Sequence, residues 1–86
     1  EAQDKYDFVM QNVRVPVTDN QLLALASFTY NVGENAFAGS TLLKLLNNGT
    51  NKDVVAQQFD RWVNAGGKVN KGLEGRRKAE KQLFLT

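Results

Sequence analysis

The sequence contains no cysteine and no histidine among its 86 residues. Without histidine there is no imidazole general base, no histidine-ligated metal, and no Ser–His or Cys–His nucleophile pair. Without cysteine no disulfide can staple the fold, so its stability depends on a packed core. We therefore predict no metal site, and we expect no cofactor.

Long apolar runs are also absent, since no stretch approaches the roughly 20 residues that a membrane-spanning helix requires. We expect no membrane span. No signal peptide is visible, and because the chain begins at Glu1 rather than at methionine, we expect it to have been processed or cut. The hydrophobic fraction of 42% is sufficient for a core, and 86 residues can form one small domain.

The net charge of +2 conceals an uneven distribution. Residues 1–66 carry seven acidic and five basic side chains, whereas residues 67–86 carry six basic and two acidic ones. A basic C-terminal segment of this kind is typical of a solvated helix face. It is equally compatible with a surface that attracts an anionic polymer, so both interpretations stay open.

Apolar residues at helical spacing predict an all-α fold, a small bundle of about five helices. The first helix spans residues 1–13 and ends before Pro16, the only proline. Thr18 and Gln21 form a capping box that starts the second helix. That helix is apolar on nearly all sides, which predicts the buried central helix, and Gly33 ends it.

The second half of the chain predicts shorter helices. A tight turn around Phe37 leads to a third helix capped by Ser40, and Thr50 is the predicted N-cap of the fourth. The core stripe of the fourth helix is predicted to comprise Val55, Phe59, Trp62 and Val63. Gly66-Gly67 ends it, and a loop to about Lys71 precedes the last helix.

Two sequence blocks carry a family resemblance. They read Ser27-Phe28-Thr29-Tyr30-Asn31-Val32-Gly33 with Ser40-Thr41-Leu42-Leu43, then Arg61-Trp62, Gly66-Gly67-Lys68, Gly72-Leu73, Arg76-Arg77 and Glu80. In this order and spacing the chain resembles the C-terminal helical lobe of phage-type lysozymes, the endolysin family. The resemblance implies a single helical domain over 1–86, with 1–13 as a remnant of the interlobe helix and 18–86 as the helical lobe.

The resemblance implies a parent muramidase that hydrolyses the β-1,4 bonds of bacterial peptidoglycan. Glycoside hydrolysis usually needs two carboxyl groups that flank the bond. The family's catalytic residues belong to an N-terminal lobe that has no match here, so we predict no catalytic residue and no activity for this chain alone. Glu74 precedes a glycine, as the family's catalytic glutamate does, but it falls at a variable position and is predicted to be a surface residue.

Five substrate-binding positions are implied by the same resemblance: Tyr30, Asn31, Gly67, Arg76 and Arg77. Asn31 matches a position whose amide faces the family's cleft, and an amide both donates and accepts, as sugar recognition requires. The alternative for Asn31 is a hydrogen bond at the helix terminus. Tyr30 offers a ring and a hydroxyl to the groove, although core packing is the favoured use.

Gly67 lets the backbone approach a partner closely, or simply helps to end the helix. Arg76 and Arg77 lie near the lobe interface of the family, where an arginine can pair with an acid of the other lobe, or else they are solvated. Trp62 belongs to the predicted core stripe, which favours packing over sugar stacking.

The predicted partners are a peptidoglycan glycan strand and either the missing N-terminal catalytic lobe or a second copy. The last two would bind through the first helix, where Ala2 and Tyr6 are expected to be exposed. The resemblance implies synthesis in a bacterial host cytoplasm and action at the cell wall, by an export route that the sequence does not specify.

Two other functions stay open: a non-catalytic module that binds peptidoglycan or a protein, and a basic nucleic-acid-binding bundle. The second is disfavoured because Gly75 and the apolar end of the last helix, Leu83-Phe84-Leu85, are typical of packing rather than of nucleic-acid recognition.

Overall fold

The computed structural model describes the backbone of residues 2–86 and the side chains of residues 5–86. The described chain is mainly helical, with a short 3-10 turn and one small hairpin. The helices are α1 (Ala2–Asn12), α2 (Asp19–Val32), α3 (Glu34–Ala38), α4 (Thr41–Asn47), α5 (Lys52–Gln57) and α6 (Lys71–Leu85). The 3-10 turn is Gln58–Arg61, and strands β1 (Asn64–Ala65) and β2 (Lys68–Val69) form the hairpin. The predicted all-α class is confirmed, with the turn around Phe37 forming a helix of its own.

The start of α2 confirms the predicted capping box. Thr18 Oγ1 accepts from the Gln21 backbone N–H at 3.0 Å, and Gln21 Oε1 accepts from the Thr18 N–H at 2.8 Å. Two otherwise unpaired backbone donors are thereby satisfied. Gly33 ends α2 with φ of 100° and ψ of 155°, a conformation that side-chain-bearing residues essentially do not adopt.

The core is organised around α2, which packs against both α1 and α6. Phe28 of α2 is fully buried and meets Phe37, Phe59 and Trp62 edge-on, at ring-centroid distances of 6.4, 5.3 and 5.5 Å. Edge-to-face contacts of this kind add to the stabilisation from burial. The aromatic cluster therefore links α2 to α3 and the 3-10 turn.

The first helix packs through its predicted stripe. Val9 is fully buried, while Tyr6 and Val13 are half-buried; the Ala2 side chain lies outside the described residues. Asn47 of α4 ties down the end of α1, because its side chain donates to the Asn12 carbonyl at 3.0 Å and accepts from the Arg14 N–H at 2.7 Å. Within residues 2–86, no helix has the length and hydropathy needed to cross a membrane.

Two details of the second half differ from the sequence prediction. Asn51, not Thr50, caps α5, since its Oδ1 accepts from the Asp53 N–H at 2.7 Å. The predicted fourth helix is also shorter: α5 tightens into the 3-10 turn and stops before Trp62. The first half of the predicted core stripe is confirmed, since Val55 and Phe59 are fully buried, whereas Trp62 and Val63 lie beyond the helix and are half-buried.

The segment predicted as a loop forms the hairpin, in which Asn64 pairs with Val69 and Ala65 with Lys68. Gly66 and Gly67 have φ of 61° and 82° at its two central positions. Positive φ at both positions is what a tight type I′ hairpin requires, so the two glycines turn the chain back rather than ending a helix.

Candidate functional site

The face of α6 that packs on α2 contains two charged residues between apolar ones. Leu73, Arg77, Glu80 and Phe84 follow one another at helical spacing, and Arg77 and Glu80 are only 1% and 4% exposed. Removing a charge from water is costly unless a partner and hydrogen bonds compensate. The surroundings of these two side chains therefore determine what this face can do.

Arg77 and Glu80 form a buried ion pair. Arg77 Nε lies 2.9 Å from Glu80 Oε1, off the N–H direction, and Nη2 lies 3.4 Å from Oε2. Ser27 Oγ donates to Glu80 Oε2 at 2.7 Å, and the guanidinium carbon lies 5.2 Å from the centre of the Phe28 ring. The guanidinium is thus held by a carboxylate at its edge and an aromatic ring at its face.

Burial shifts both titrations towards the neutral forms. It raises the pKa of the Glu80 carboxyl, against the opposing effects of Ser27 and Arg77. It also lowers the pKa of the Arg77 guanidinium, which nevertheless stays protonated in the accessible pH range. Arg77 is consequently a permanent buried cation, and Glu80 is the member of the pair that can change charge.

The pair reaches the surface through Asn31, close to the end of α2. Arg77 Nη2 donates to Asn31 Oδ1 at 2.8 Å, and this bond joins residues 46 positions apart. The Asn31 side chain therefore forms a hydrogen bond to α6 and not to its own helix terminus. This differs from the alternative in the sequence analysis, which was a hydrogen bond at the helix terminus. Asn31 is itself exposed, so it connects a buried charge to solvent.

A shallow pocket of about 460 Å³ opens beside this contact. Its lining comprises Asn31, Val32, Arg61, Trp62, Asn64, Leu73 and Arg77. Trp62 is half-buried: its ring and that of Phe28 pack edge-to-face, and the side chain also borders the pocket. The pocket combines an aromatic ring, amides and a cation, a mixture suited to a polar ligand with apolar faces.

The structure brings together two of the five predicted binding residues, Asn31 and Arg77. Tyr30 points away from them, is 59% exposed, and lines a separate groove of about 280 Å³. The favoured core packing of Tyr30 is wrong, because it follows the buried Thr29 and falls on the outer side of α2. Gly67 lies in the hairpin turn outside the pocket, and Arg76 is exposed.

The substrate-binding roles of all five residues remain predictions. For Arg77, the interpretation as a solvated residue is wrong, because the side chain lies within the ion pair. Glu74 is exposed, as predicted.

Sequence reasoning assigned no role to Glu80 or Ser27, although a signal for Glu80 exists. Arg77 and Glu80 are three residues apart and lie between Leu73 and Phe84 on one helical stripe. Opposite charges at this spacing within an apolar stripe predict a buried ion pair. Ser27 leaves no comparable signal, because its partner is 53 residues away.

The sequence also matches known proteins. A family model described as phage lysozyme matches residues 1–80. The chain belongs to the phage lysozyme family. The endolysin of Bacillus phage B103 is 46% identical over 86 residues, which is 100% of this chain and 32% of that relative. The chain thus spans about a third of this curated phage lysozyme relative.

Solved structures agree with the assignment to the phage lysozyme family. The muramidase domain of SpmX from Asticaccaulis excentricus superposes with a TM-score of 0.90 at 37% identity, covering 99% of this chain and 60% of that one. A P22 lysozyme mutant superposes with a TM-score of 0.87 at 41% identity, covering 99% and 57%. These structural matches confirm the predicted resemblance to phage-type lysozymes and the predicted helical architecture.

Proposed function

We propose that this chain is the helical lobe of a phage-type endolysin, and that the whole protein hydrolyses β-1,4 bonds of bacterial peptidoglycan at the cell wall. Residues 1–13 would belong to the interlobe helix and residues 18–86 to the lobe. The observation that carries the proposal is the Asn31 amide, which Arg77 holds at 2.8 Å beside the Trp62 pocket. Amide and aromatic groups at one pocket suit the hydrogen-bonding and apolar faces of a sugar.

The chain would supply a wall of the glycan groove rather than the reacting groups. A general acid needs a raised pKa, and Glu80 has one, but it is 4% exposed and already bound by Ser27 and Arg77. A glycosidic oxygen cannot reach it without disrupting the core. Glu34 and Asp60 pair with Lys5 and Lys81 at the surface. The acid and the nucleophile are therefore assigned to the N-terminal lobe of the whole protein.

A second surface suits the contact with that lobe. Tyr6 of α1 and Leu23, Ala26 and Tyr30 of α2 line an apolar groove, in which Leu23 is 48% exposed. Exposed apolar surface of this kind marks an interaction site. We assign the groove to the N-terminal catalytic lobe, and in its absence to self-association of this chain. Arg76, which is exposed on the neighbouring helix, would pair with an acid of the same lobe.

The test is an NMR titration of the ¹⁵N-labelled 86-residue chain with soluble peptidoglycan fragments, together with an assay for reducing ends. We expect shifts at the Asn31 side chain and the Trp62 indole, and no release of reducing ends. Asn31→Ala should lose the binding, whereas Asn35→Ala, an exposed asparagine on α3, should keep it. Release that Glu74→Gln abolishes would contradict the assignment of catalysis to another lobe.

The alternative, a non-catalytic module that binds peptidoglycan or a protein, is supported by the same pocket. It differs in one outcome: joining the chain to its N-terminal lobe would not produce hydrolysis.

A further inference from the structure

We propose that Arg77 is a positioning residue that locks the Asn31 amide in one orientation, so that the pocket presents hydrogen-bond donors and selects an oxygen acceptor. This inference rests on the proposed glycan-binding function. In an N-acetylated glycan the acceptor would be an acetamido carbonyl oxygen or a carboxylate oxygen.

The first step is that the chemistry of arginine determines which end of the amide faces inward. A guanidinium has five N–H donors and no acceptor, so only an oxygen can face it. Arg77 Nη2 lies 2.8 Å from Asn31 Oδ1. Turning the amide over would place an N–H group against another N–H group and leave buried donors unpaired. The Nδ2 group must therefore point away from Arg77.

The second step is that Arg77 cannot follow Asn31 if the amide moves. Its side chain is 1% exposed, its Nε lies 2.9 Å from Glu80, and its guanidinium packs over Phe28. Ser27 fixes the carboxylate in turn, through its 2.7 Å hydrogen bond. The planar guanidinium is needed because one side chain has to contact Glu80 and Asn31 at once, which the single ammonium of lysine does poorly.

The third step concerns the free end of the amide. Within the described part of the chain, Asn31 Nδ2 has no hydrogen-bond partner, and Asn31 is exposed at the pocket. Arg61, which also lines the pocket, is another group that only donates. A ligand atom that accepts hydrogen bonds is satisfied by Asn31 Nδ2 and Arg61, whereas a ligand N–H group finds no acceptor in either of these two groups. The pocket therefore prefers an acceptor.

Three variants test this inference. Asn31→Asp keeps an oxygen for Arg77 but removes both Nδ2 donors. Arg77→Leu combined with Glu80→Leu removes the anchor without leaving a buried charge unpaired. Arg77→Lys keeps the positive charge but loses the planar guanidinium that contacts Glu80 and Asn31 at once. It replaces the double variant in the test if the double variant does not fold. Asn35→Asp is the matched control for the added negative charge, on an exposed position of α3.

Two readouts are measured on each variant of the 86-residue chain. The first is the order of the Asn31 side-chain NH₂ group, from ¹⁵N relaxation of resonances assigned by their absence in Asn31→Asp. The second is the affinity for triacetylchitotriose, which carries acetamido carbonyls and no carboxylate, and for the N-acetylglucosamine–N-acetylmuramic acid disaccharide, which carries a carboxylate. Binding of both sugars identifies the acetamido oxygen, and binding of the disaccharide alone identifies the carboxylate.

We expect Asn31→Asp to weaken binding about tenfold, as for the loss of one to two net hydrogen bonds, and Asn35→Asp to leave it unchanged. We expect the Asn31 NH₂ group to be ordered in the wild type and mobile in the anchor variants. Unchanged order in a folded anchor variant, or unchanged affinity in Asn31→Asp, overturns the inference. Failure of the proposed function looks different: neither sugar binds, yet the NH₂ group still loses its order when Arg77 is replaced.

Discussion

The buried pair of Arg77 and Glu80 predicts an asymmetric response to mutation. Glu80→Gln leaves a permanent cation inside the core, because arginine does not lose its proton. Breaking a buried ion pair in this way costs roughly 3–5 kcal/mol. A domain of this size has a free energy of unfolding of roughly 4–13 kcal/mol at typical values per residue. The substitution should therefore remove a large share of the stability.

Arg77→Leu should behave differently, because the remaining carboxyl can take up a proton. Burial raises the pKa of Glu80, so between its ordinary value near 4.3 and the raised value the native state binds more protons than the unfolded state. The free energy of unfolding then falls as the pH rises through this window. Arg77 opposes the shift, so its loss raises the pKa of Glu80 further and steepens this dependence.

The assay is urea denaturation, followed by circular dichroism, at about pH 4.5 and about pH 7.5. Relative to the wild type, Arg77→Leu should lose clearly less stability at the lower pH. The loss in Glu80→Gln should instead not grow with pH, because glutamine does not ionise and the wild type itself loses stability through this window. The double variant Arg77→Leu with Glu80→Leu should recover to within about 1–2 kcal/mol of the wild type, since the buried charges are gone. Two results would refute this prediction. One is an equal pH dependence of the stability loss in the two single variants; the other is a double variant whose stability loss equals the sum of the two single losses.

Three further predictions concern the frame around this pair. Thr18→Ala should lower the free energy of unfolding by about 1 kcal/mol through loss of the N-cap, while Thr41→Ala, exposed in the first turn of α4, should change it by less than about 0.5 kcal/mol in urea melts. Gly33→Ala should cost about 1–3 kcal/mol from its φ of 100° alone, since a Cβ there meets no atom within 4 Å; an unchanged melting temperature would argue against strain. Leu23→Lys should abolish concentration-dependent sedimentation of the chain with little change in stability, whereas Gln57→Lys should not; self-association that survives Leu23→Lys would exclude the apolar groove.

Much of the fold could be predicted because its signals are local. The cap of α2 involves Thr18 and Gln21, and Ser40 caps α4 by accepting from the Leu43 N–H at 3.2 Å, so a few neighbouring residues specify each helix start. The hairpin escaped prediction because its strands have two residues each, too short for an alternating pattern. Gly66-Gly67 suits a hairpin turn as well as a helix end, and only the partner strand distinguishes them.

The candidate site was less accessible from the sequence. Asn31 and Arg77 could be singled out by resemblance, but their hydrogen bond spans 46 residues and depends on how α6 lies against α2. Tyr30 and Asn31 are neighbours in the sequence, yet they face different grooves, because consecutive helical residues point about 100° apart. Helix orientation, which sequence periodicity does not specify, therefore decides which predicted residues share a pocket.

The stability and binding experiments together separate two reasons for a buried ion pair. If the leucine double variant is as stable as the wild type, the pair adds no net stability over apolar packing, in line with other buried pairs. One consequence of the pair would still be lost in that variant: the 2.8 Å bond that holds the Asn31 amide at the pocket. A stable double variant with a mobile Asn31 amide and weakened acceptor binding would show that the pair orders the binding surface. A double variant that is stable and binds normally would show that the ion pair neither adds net stability nor orders the binding surface.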